Sequence, residues 1–338
     1  MMVRTVSNLE DMAADRNDVL IIGAGVIGLT TGVQLVESSG GSAPRVHIVA
    51  EQWAEETNSA AAGAIFDPSH AQHDRLGDWA GRTARRFGQL AGEHFPGVTL
   101  VDGLEACRQQ LRPPPYIESL PTFRPCPPAE LPQGFVTGWR YRVPVIDMPP
   151  YLKALRQRFE AGGGTLSRGR LGSLAEVTAE AGIVVNCTGI GARDLVPDTQ
   201  VHPSRGRLVV VGNPQGRKTF FAEYTTGEQH DMTYVFPHGA TLVLGGSMEK
   251  GEDAAMPDDE IPDAILRRCR EAFPGETFDD HARRRRTGIR PHRPEVRLEV
   301  EPAGDGHIIH NYGHGGSGVT LSWGCAEQVA DIVFQLRS

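Results

Sequence analysis

The chain has 338 residues, of which 22% are charged and 39% apolar, and its formal net charge is −8 at pH 7. These values are typical of a globular protein with one large or two interlocked domains, and the negative charge argues against a general nucleic-acid binder. No apolar run reaches the ~20 residues of a membrane span, and residues 1–17 lack the apolar stretch of a signal peptide. The five scattered cysteines form no CxxC pair, which argues against a disulfide framework and a zinc site and predicts a cytoplasmic location.

The N-terminal part combines a strand, a glycine-rich turn, a helix and a second strand. G-x-G-x-x-G at Gly23, Gly25 and Gly28 follows an apolar strand, and the second strand leads to Glu51. An acidic residue about 20 positions after the last glycine completes the context of a dinucleotide-binding fingerprint. In that fingerprint the glycines permit the tight turn, the approach of the pyrophosphate and close helix packing, the helix N-terminus faces the phosphates, and Glu51 binds ribose hydroxyls. The cofactor-binding residues expected from this unit also include Ala24, Val26 and Ile27.

The elements that follow change in character along the chain. The segment EETNSAAAGAIFDP is rich in small residues, so it can run close against a flat group or pack tightly. From residue 76 to about 151 prolines are frequent, which predicts a loop-rich region. The segment PPYLKALRQRFEAGGG predicts an amphipathic helix, and a third apolar strand over 183–185 runs into Thr188. Strands of a more antiparallel sheet, a helix, and finally a strand, a glycine turn and a terminal helix are then expected.

These elements predict an α/β fold, in which a Rossmann-type domain on a parallel sheet is interleaved with an α+β domain on a mostly antiparallel sheet. Both ends of the chain and a middle piece are expected to form the first domain. The boundaries predicted are 18–75, 155–205 and 305–338 for the nucleotide-binding domain, 76–154 and 206–304 for the second domain, and 1–17 for an N-terminal extension.

Six segments in one order resemble the D-amino-acid oxidase family: VLIIGAGVIGL, AAGAIFDP, VVNCTGIGARDL, TYVFP, GIRPHRPEVRLE and HNYGHGGSGVTLSWG. The Pro-rich part, about 105–135, has no distinctive match. The resemblance implies FAD in the Rossmann-type domain, bound non-covalently because no early His or Cys stands where flavin-linked amine oxidases carry one. It also implies oxidative deamination of D-amino acids, in which hydride passes from Cα to flavin N5 and O₂ reoxidises the flavin, giving a 2-oxo acid, ammonia and hydrogen peroxide.

The same resemblance implies the roles of individual residues. Arg290 matches the arginine that binds the substrate carboxylate, Tyr234 the tyrosine that supports it, and the Gly316 carbonyl the acceptor for the substrate amine. The turn 315–320 would lie against the pyrimidine edge of the flavin, where backbone N–H groups stabilise negative charge. The FAD contacts expected outside the fingerprint are Asn58, Ser59, Ala62, Gly63, Ala64, Leu171, Thr188, Gly315, Gly316, Ser317, Gly318, Val319 and Thr320.

Three positions depart from the family pattern. His230, counted with the catalytic residues, stands where well-known members carry a second tyrosine. It either contacts the substrate side chain, belongs to a lid at the entrance, or is an exposed loop histidine. Asp67 lies where members have polar or small residues near the substrate side chain, and Arg207 is expected at the domain boundary.

Other functions stay open at this point. A D-aspartate oxidase or another FAD-dependent amine or glycine oxidase would share the fold, and an acidic substrate would need a second cation, for which His230, His238 and Arg207 are candidates. An NAD(P)-linked dehydrogenase would leave the C-terminal glycine turn without a role, and a non-catalytic flavin protein would not need Tyr234 and Arg290. The partners expected are a small-molecule D-amino acid and O₂, without nucleic acid or membrane, and a homodimer is left open.

Overall fold

The computed structural model describes residues 19–38, 44–174, 177, 181–225, 231–251 and 260–338. Its helices are α1 (Val26–Glu37), α2 (Leu76–Gly92), α3 (Pro115–Glu118), α4 (Met148–Ala161), α5 (Ala192–Leu195), α6 (Glu260–Ala272) and α7 (Gly318–Leu336). Its strands are β1 (Val19–Ile22), β2 (Val46–Ala50), β3 (Val98–Cys107), β4 (Arg124–Pro125), β5 (Thr137–Ile146), β6 (Thr165–Arg168), β7 (Ile183–Asn186), β8 (His202–Gly212), β9 (Phe220–Glu223), β10 (Asp231–His238), β11 (Thr241–Ser247), β12 (Glu249–Lys250), β13 (Asp279–Ala303) and β14 (Gly306–His314).

These strands form one 14-stranded sheet in the order β4–β5–β3–β9–β10–β11–β8–β13–β14–β7–β1–β2–β6, and β12 pairs with β8. The end formed by β14, β7, β1, β2 and β6 is parallel throughout. The other end is antiparallel except where β3 meets β9. The predicted α/β class, with a parallel and a mostly antiparallel part, is confirmed, whereas the domain boundaries remain a prediction.

The long strand β13 joins the two parts of the sheet. Its first half pairs with β8 and its second half with β14, and His292 belongs to both ladders. Arg290 precedes this change of partner by two residues and lies opposite Ser204 of β8. The strand therefore places Arg290 at the border between the parallel and the antiparallel parts.

The parallel part is covered by helices, as its continuous apolar strands require. Every residue of β1, β2 and β7 is buried. Helix α7 packs against α1 and α2, and Gly324 permits the second contact, since a Cβ there would lie 2.2 Å from the carbonyl oxygen of Trp79. Within the described ranges, no helix is long and apolar enough to cross a membrane.

The region from 76 to 151 is more regular than its prolines predicted. It contains the 17-residue helix α2 and two ten-residue strands, β3 and β5, paired along their whole length. The loop-rich prediction was wrong there, because most of the prolines lie in the connection between the two strands, residues 108–136. The apolar residues of β3 and β5 themselves favour extended strands.

Candidate active site

A cavity of about 700 Å³ opens where the parallel and antiparallel parts of the sheet meet. This volume lies within the range of small-molecule and cofactor sites. Most of the predicted site residues line it, although they come from distant segments of the chain. They are Gly23, Ala24, Gly25, Val26, Ile27, Glu51, Asn58, Ser59, Ala62, Gly63, Ala64, Leu171, Thr188, Tyr234, Arg290, Gly315, Gly316, Gly318 and Val319.

The three fingerprint glycines differ in what surrounds them. Gly23 has φ +107°, and a Cβ there would lie 2.6 Å from the Cys187 carbonyl oxygen. Gly28 does not line the cavity, and its Cβ would lie 1.9 Å from the Gly23 carbonyl oxygen. A Cβ on Gly25 would meet only Ser59 Oγ, at 3.1 Å. Gly23 and Gly28 therefore shape the turn and its helix contact, whereas Gly25 keeps the backbone bare toward the cavity.

The N-terminus of α1 fits the pyrophosphate of a dinucleotide. The Val26 N–H donates to Ser59 Oγ at 3.0 Å, and the first N–H groups of a helix have no partner within the helix and attract anions. Glu51 lies at the cavity mouth, exposed, with its carboxylate 3.7 Å from the Arg170 guanidinium. Both features fit a bound dinucleotide, with phosphate at the helix and ribose at the acid.

The glycine turn before α7 approaches another segment of the cavity wall. Gly315 has φ +55°, and a Cβ there would lie 2.5 Å from the His70 carbonyl oxygen. A Cβ on Gly316 would lie 3.0 Å from the side chain of His70. The turn therefore needs glycine at position 315, where a side chain would clash with the backbone, whereas a side chain at position 316 would require the side chain of His70 to shift slightly.

Two predicted contacts of this turn, Ser317 and Thr320, do not reach the cavity. Ser317 Oγ donates to the Asp67 carbonyl oxygen at 2.9 Å and accepts from the His70 N–H at 3.2 Å. Thr320 Oγ1 accepts from the Asp67 N–H at 2.9 Å. Their hydroxyls hold the 67–70 segment against the start of α7.

Arg290 presents a guanidinium to the cavity. A Cβ on Gly206 would lie 2.5 Å from its atoms, so the guanidinium packs directly against bare backbone, and its Nη1 donates to the Ser247 carbonyl oxygen at 3.2 Å. The carboxylate of Glu249 pairs instead with Arg207, at 3.1 Å. No other carboxylate in the described ranges forms an ion pair with Arg290. Burial lowers the pKa of Arg290, and a desolvated cation of this kind favours an anionic partner.

Tyr234 lies on the same cavity, in β10. Its ring stacks on Phe236 with 4.4 Å between centroids and 5° between planes. It also covers Gly245 and Gly246, where a Cβ would lie 1.9 and 2.6 Å from the ring. Burial raises the pKa of Tyr234 although the charge of Arg290 opposes the shift. The hydroxyl is therefore protonated at neutral pH and can donate a hydrogen bond.

Asp67 and His70 form an ion pair at 3.4 Å, and both line the cavity. Burial alone would raise the pKa of Asp67, but His70 and Ser69 lower it to about 2. Burial also opposes the charge on His70, and Asp67 nevertheless raises its pKa. Asp67 was named from the sequence, whereas His70 was not, because no spacing in FDPSHAQ distinguishes it from a loop residue.

Glu105 of β3 also lines the cavity and was not predicted. It is 5% exposed and accepts a hydrogen bond from the Tyr141 hydroxyl at 2.8 Å. Burial and then the negative charge of Asp67 raise the pKa of Glu105 to about 8. The available sequence signal was an acidic residue among the small and apolar residues of GLEAC, residues 103–107.

The remaining cationic candidates are placed differently. Arg207 lines the cavity with its charge paired to Glu249, and His238 is buried near Asp147, away from the cavity lining. His230 lies outside the described residues. The second cation that an acidic substrate would require is therefore not supplied by Arg207 or His238.

The chain is similar in sequence and in fold to several known proteins. The chain is 41% identical over 317 residues to a D-amino-acid oxidase from Rubrobacter xylanophilus, covering 92% of this chain and 94% of that protein. It is 39% identical over 328 residues to a D-amino-acid oxidase from Streptomyces coelicolor, covering 93% and 95%. The structure resembles glycine oxidase from Geobacillus kaustophilus, with a TM-score of 0.78, 18% identity and 94% coverage of both chains. The model of the DAO family, described as FAD dependent oxidoreductase, matches residues 18–332. The expectations of FAD and of this family are thereby confirmed, and the chain belongs to the DAO family of FAD-dependent oxidoreductases.

Proposed function

We propose that the protein oxidises D-amino acids to 2-oxo acids, with O₂ as the electron acceptor and ammonia and hydrogen peroxide as the other products. The observation that carries this proposal is the Arg290 guanidinium, which faces the cavity without a carboxylate partner among the described side chains. A planar guanidinium suits a substrate carboxylate, because two parallel N–H donors match its two oxygens. The relatives named D-amino-acid oxidase support the same reaction.

The substrate would be held at two points. Arg290 and the hydroxyl of Tyr234 bind its carboxylate, and the carbonyl oxygen of Gly316 accepts an N–H of its amine. All three residues line one cavity. Fixing both groups orients the Cα–H bond and selects one enantiomer of the substrate. Orientation alone can account for up to about 7–11 kcal/mol of an activation barrier in favourable cases. With a neutral amine, none of these residues has to act as a general base.

The cofactor would be held non-covalently along the rest of the cavity. The backbone at Gly25 and the N-terminus of α1 bind the pyrophosphate, Glu51 binds the ribose, and the start of α7 offers N–H groups to the flavin ring. When bound, FAD supplies the hydride acceptor and the route of electrons to O₂. Cys187 lines the cavity, but burial raises its pKa to about 12, so the thiol is a poor nucleophile for a flavin link.

An acidic substrate fits this cavity less well. Its wall carries the carboxyl groups of Asp67 and Glu105, and the charge of Arg207 is already paired. We therefore favour D-amino acids with other side chains over D-aspartate. The five cysteines are free and buried, which supports a reducing compartment such as the cytoplasm.

The test is to add a panel of D- and L-amino acids, together with glycine, anaerobically to the purified FAD-bound protein and to follow the visible flavin band. D-isomers are expected to bleach it, and their L-isomers are not. Bleaching by L-isomers at equal rates would contradict the proposed orientation. If no D-amino acid bleaches the band, the proposed reaction is wrong, and bleaching by glycine alone would identify a glycine oxidase.

A further inference from the structure

Glu105 stands in a row with Tyr234 across the sheet. Glu105 of β3 pairs with Ala222 of β9, and Ala222 pairs with Tyr234 of β10. Directly paired residues project to the same face of a sheet, and adjacent strands lie about 4.7–4.9 Å apart. Glu105 is therefore on the same face of the sheet as Tyr234, two strands away, and Ala222 is the residue between them in this row. All three residues line the cavity.

Within the described part of the chain, Glu105 has no cationic partner. It accepts a hydrogen bond from the neutral hydroxyl of Tyr141, at 2.8 Å. Glu223 on β9 is a useful comparison, because it is equally buried but pairs with Arg108 at 2.7 Å and accepts the Thr233 N–H at 3.1 Å. A buried carboxyl group without a compensating cation is unfavourable when ionised, and a cation that enters the cavity would supply the missing charge.

Glu223 also lines the cavity, but Arg108 compensates its charge. Asp67, a further carboxylate on this wall, is likewise less available. His70 lies 3.4 Å from it, so its charge is already compensated within the protein. The charge of Asp67 nevertheless acts on Glu105 and adds to the negative character of this end of the cavity. A side chain that carries a carboxylate would meet two acidic groups there, whereas an ammonium or guanidinium group would meet one with no cationic partner.

We propose that Glu105 determines the side-chain specificity of the site and selects D-amino acids with a long basic side chain, such as D-lysine, D-ornithine or D-arginine. This inference rests on the proposed function, because it takes the substrate carboxylate to be bound at Arg290 and Tyr234. The substrate side chain then runs past Ala222 and brings its terminal cation to the carboxylate of Glu105. The separation of two strands favours a long side chain over a short one.

The test compares D-lysine with D-norleucine, which has a linear side chain of similar length but no terminal amine. In the native enzyme, kcat/KM is expected to be at least about tenfold higher for D-lysine, as befits one charge-assisted contact. In Glu105→Gln, which keeps the shape and the acceptor for Tyr141, this preference is expected to fall by about tenfold or more, mainly through KM for D-lysine. In the same variant, kcat/KM for D-norleucine should change by less than about threefold.

Glu223→Gln is the matched control, since it neutralises an equally buried glutamate that also lines the cavity but whose charge Arg108 already compensates. It is expected to affect both substrates equally and to leave their ratio unchanged. A native enzyme without preference for D-lysine, or a preference that survives Glu105→Gln, would overturn the inference while D-norleucine oxidation still supports the proposed function. Failure of every D-amino acid would overturn both.

Discussion

The backbone N–H of Asp67 donates a hydrogen bond to Thr320 Oγ1 over 2.9 Å, although 253 residues separate the two in the chain. Ser317 adds a second link, from its hydroxyl to the carbonyl oxygen of Asp67. These bonds join a wall of the cavity to the first turn of α7. Residues that do not reach the cavity can therefore determine the position of residues that do.

Thr320→Val tests this link, because valine has nearly the same shape but no acceptor for the Asp67 N–H. Loss of a partner for this part-buried donor is expected to lower the free energy of unfolding by about 1 kcal/mol. It should also lower kcat/KM, because the cavity wall loses its fixed position. Urea denaturation and steady-state kinetics measure the two effects. Thr320→Ser retains the hydroxyl and is expected to remain close to the native protein, and a valine variant as stable as the serine one would contradict the link.

The ion pair of Asp67 and His70 predicts a pH-dependent stability. His70 has a raised pKa, so its contribution is complete below its ordinary value of 6.5 and is lost as the pH rises through the folded value. Asp67 has a pKa lowered to about 2, so its contribution is present above its ordinary value of 3.8 and is lost as the pH falls toward 2. The pair should stabilise the fold most between these two ordinary values.

His70→Asn is expected to lower the free energy of unfolding by about 1 kcal/mol near pH 5 and by less near pH 9. Chemical denaturation across this range measures the difference. Asp102→Asn is the control, because the partner of Asp102 is the exposed Arg142, which does not titrate in this range. An effect of His70→Asn that does not vary with pH would show that the pair is not ionised as described.

The dinucleotide-binding end of the cavity could be predicted because its signals are local. One supersecondary unit contains the first strand, the turn at Gly23 and Gly25, and the acidic residue Glu51. Their spacing in the chain therefore reflects their spacing in the fold. The class of the fold followed from the same unit and from the apolar strands.

Residues at the other end of the cavity, where we propose that the substrate binds, could not be found in this way. Glu105 faces the cavity because β3 pairs with β9 and β9 with β10, and this register depends on contacts between distant segments. His70 is placed by the glycine turn at the opposite end of the chain. Arg290 and Tyr234 were predicted from a family resemblance, because neither their spacing nor their periodicity indicates a shared cavity.

Substitution of Gly25 and of Gly28 should have different effects. In Gly25→Ala the new Cβ meets only Ser59 Oγ, at 3.1 Å, and points into the cavity. This variant is expected to fold but to bind FAD at least about tenfold more weakly, because the pyrophosphate can no longer approach the backbone. In Gly28→Ala the Cβ would lie 1.9 Å from a backbone oxygen, so the helix itself must shift and the apoprotein should lose stability.

Thermal unfolding of the apoprotein and titration with FAD separate these two outcomes. The glycine variants serve as controls for each other, since each adds one methyl group within the same turn. Normal FAD affinity in Gly25→Ala would show that the pyrophosphate does not approach at this position. A fully stable Gly28→Ala would mean that the contact between α1 and the turn relaxes at little cost.

Glu105 should destabilise the folded protein as the pH rises. Its pKa is raised from 4.5 to about 8, so the folded state binds more protons than the unfolded state between these values, and stability falls with increasing pH. Glu105→Gln removes this dependence. It is expected to have stability similar to the native protein near pH 4 and to exceed it by a few kcal/mol near pH 8. If the difference in the free energy of unfolding between Glu105→Gln and the native protein stayed constant from pH 4 to pH 8, Glu105 would titrate normally.

Arg290 and Tyr234 are expected to act on one substrate group, which a double-mutant cycle can detect. Arg290→Met removes the charge, and loss of a charge-assisted contact worth about 1.5–3 kcal/mol should lower kcat/KM for D-amino acids by about 10- to 150-fold, chiefly through KM. Tyr234→Phe keeps the ring over Gly245 and Gly246 but removes the hydroxyl, for a loss of about 0.5–1.5 kcal/mol.

If both residues bind the same carboxylate, the double variant should lose less than the sum of the single losses, because each bond depends on a carboxylate that the other helps to place. Strict additivity would contradict a shared ligand. Arg284→Met is the control, since Arg284 is an exposed arginine of the same strand, and it is expected to leave kcat and KM unchanged. The flavin spectrum of each variant checks that FAD remains bound, so that a loss of rate reports on the substrate and not on the cofactor.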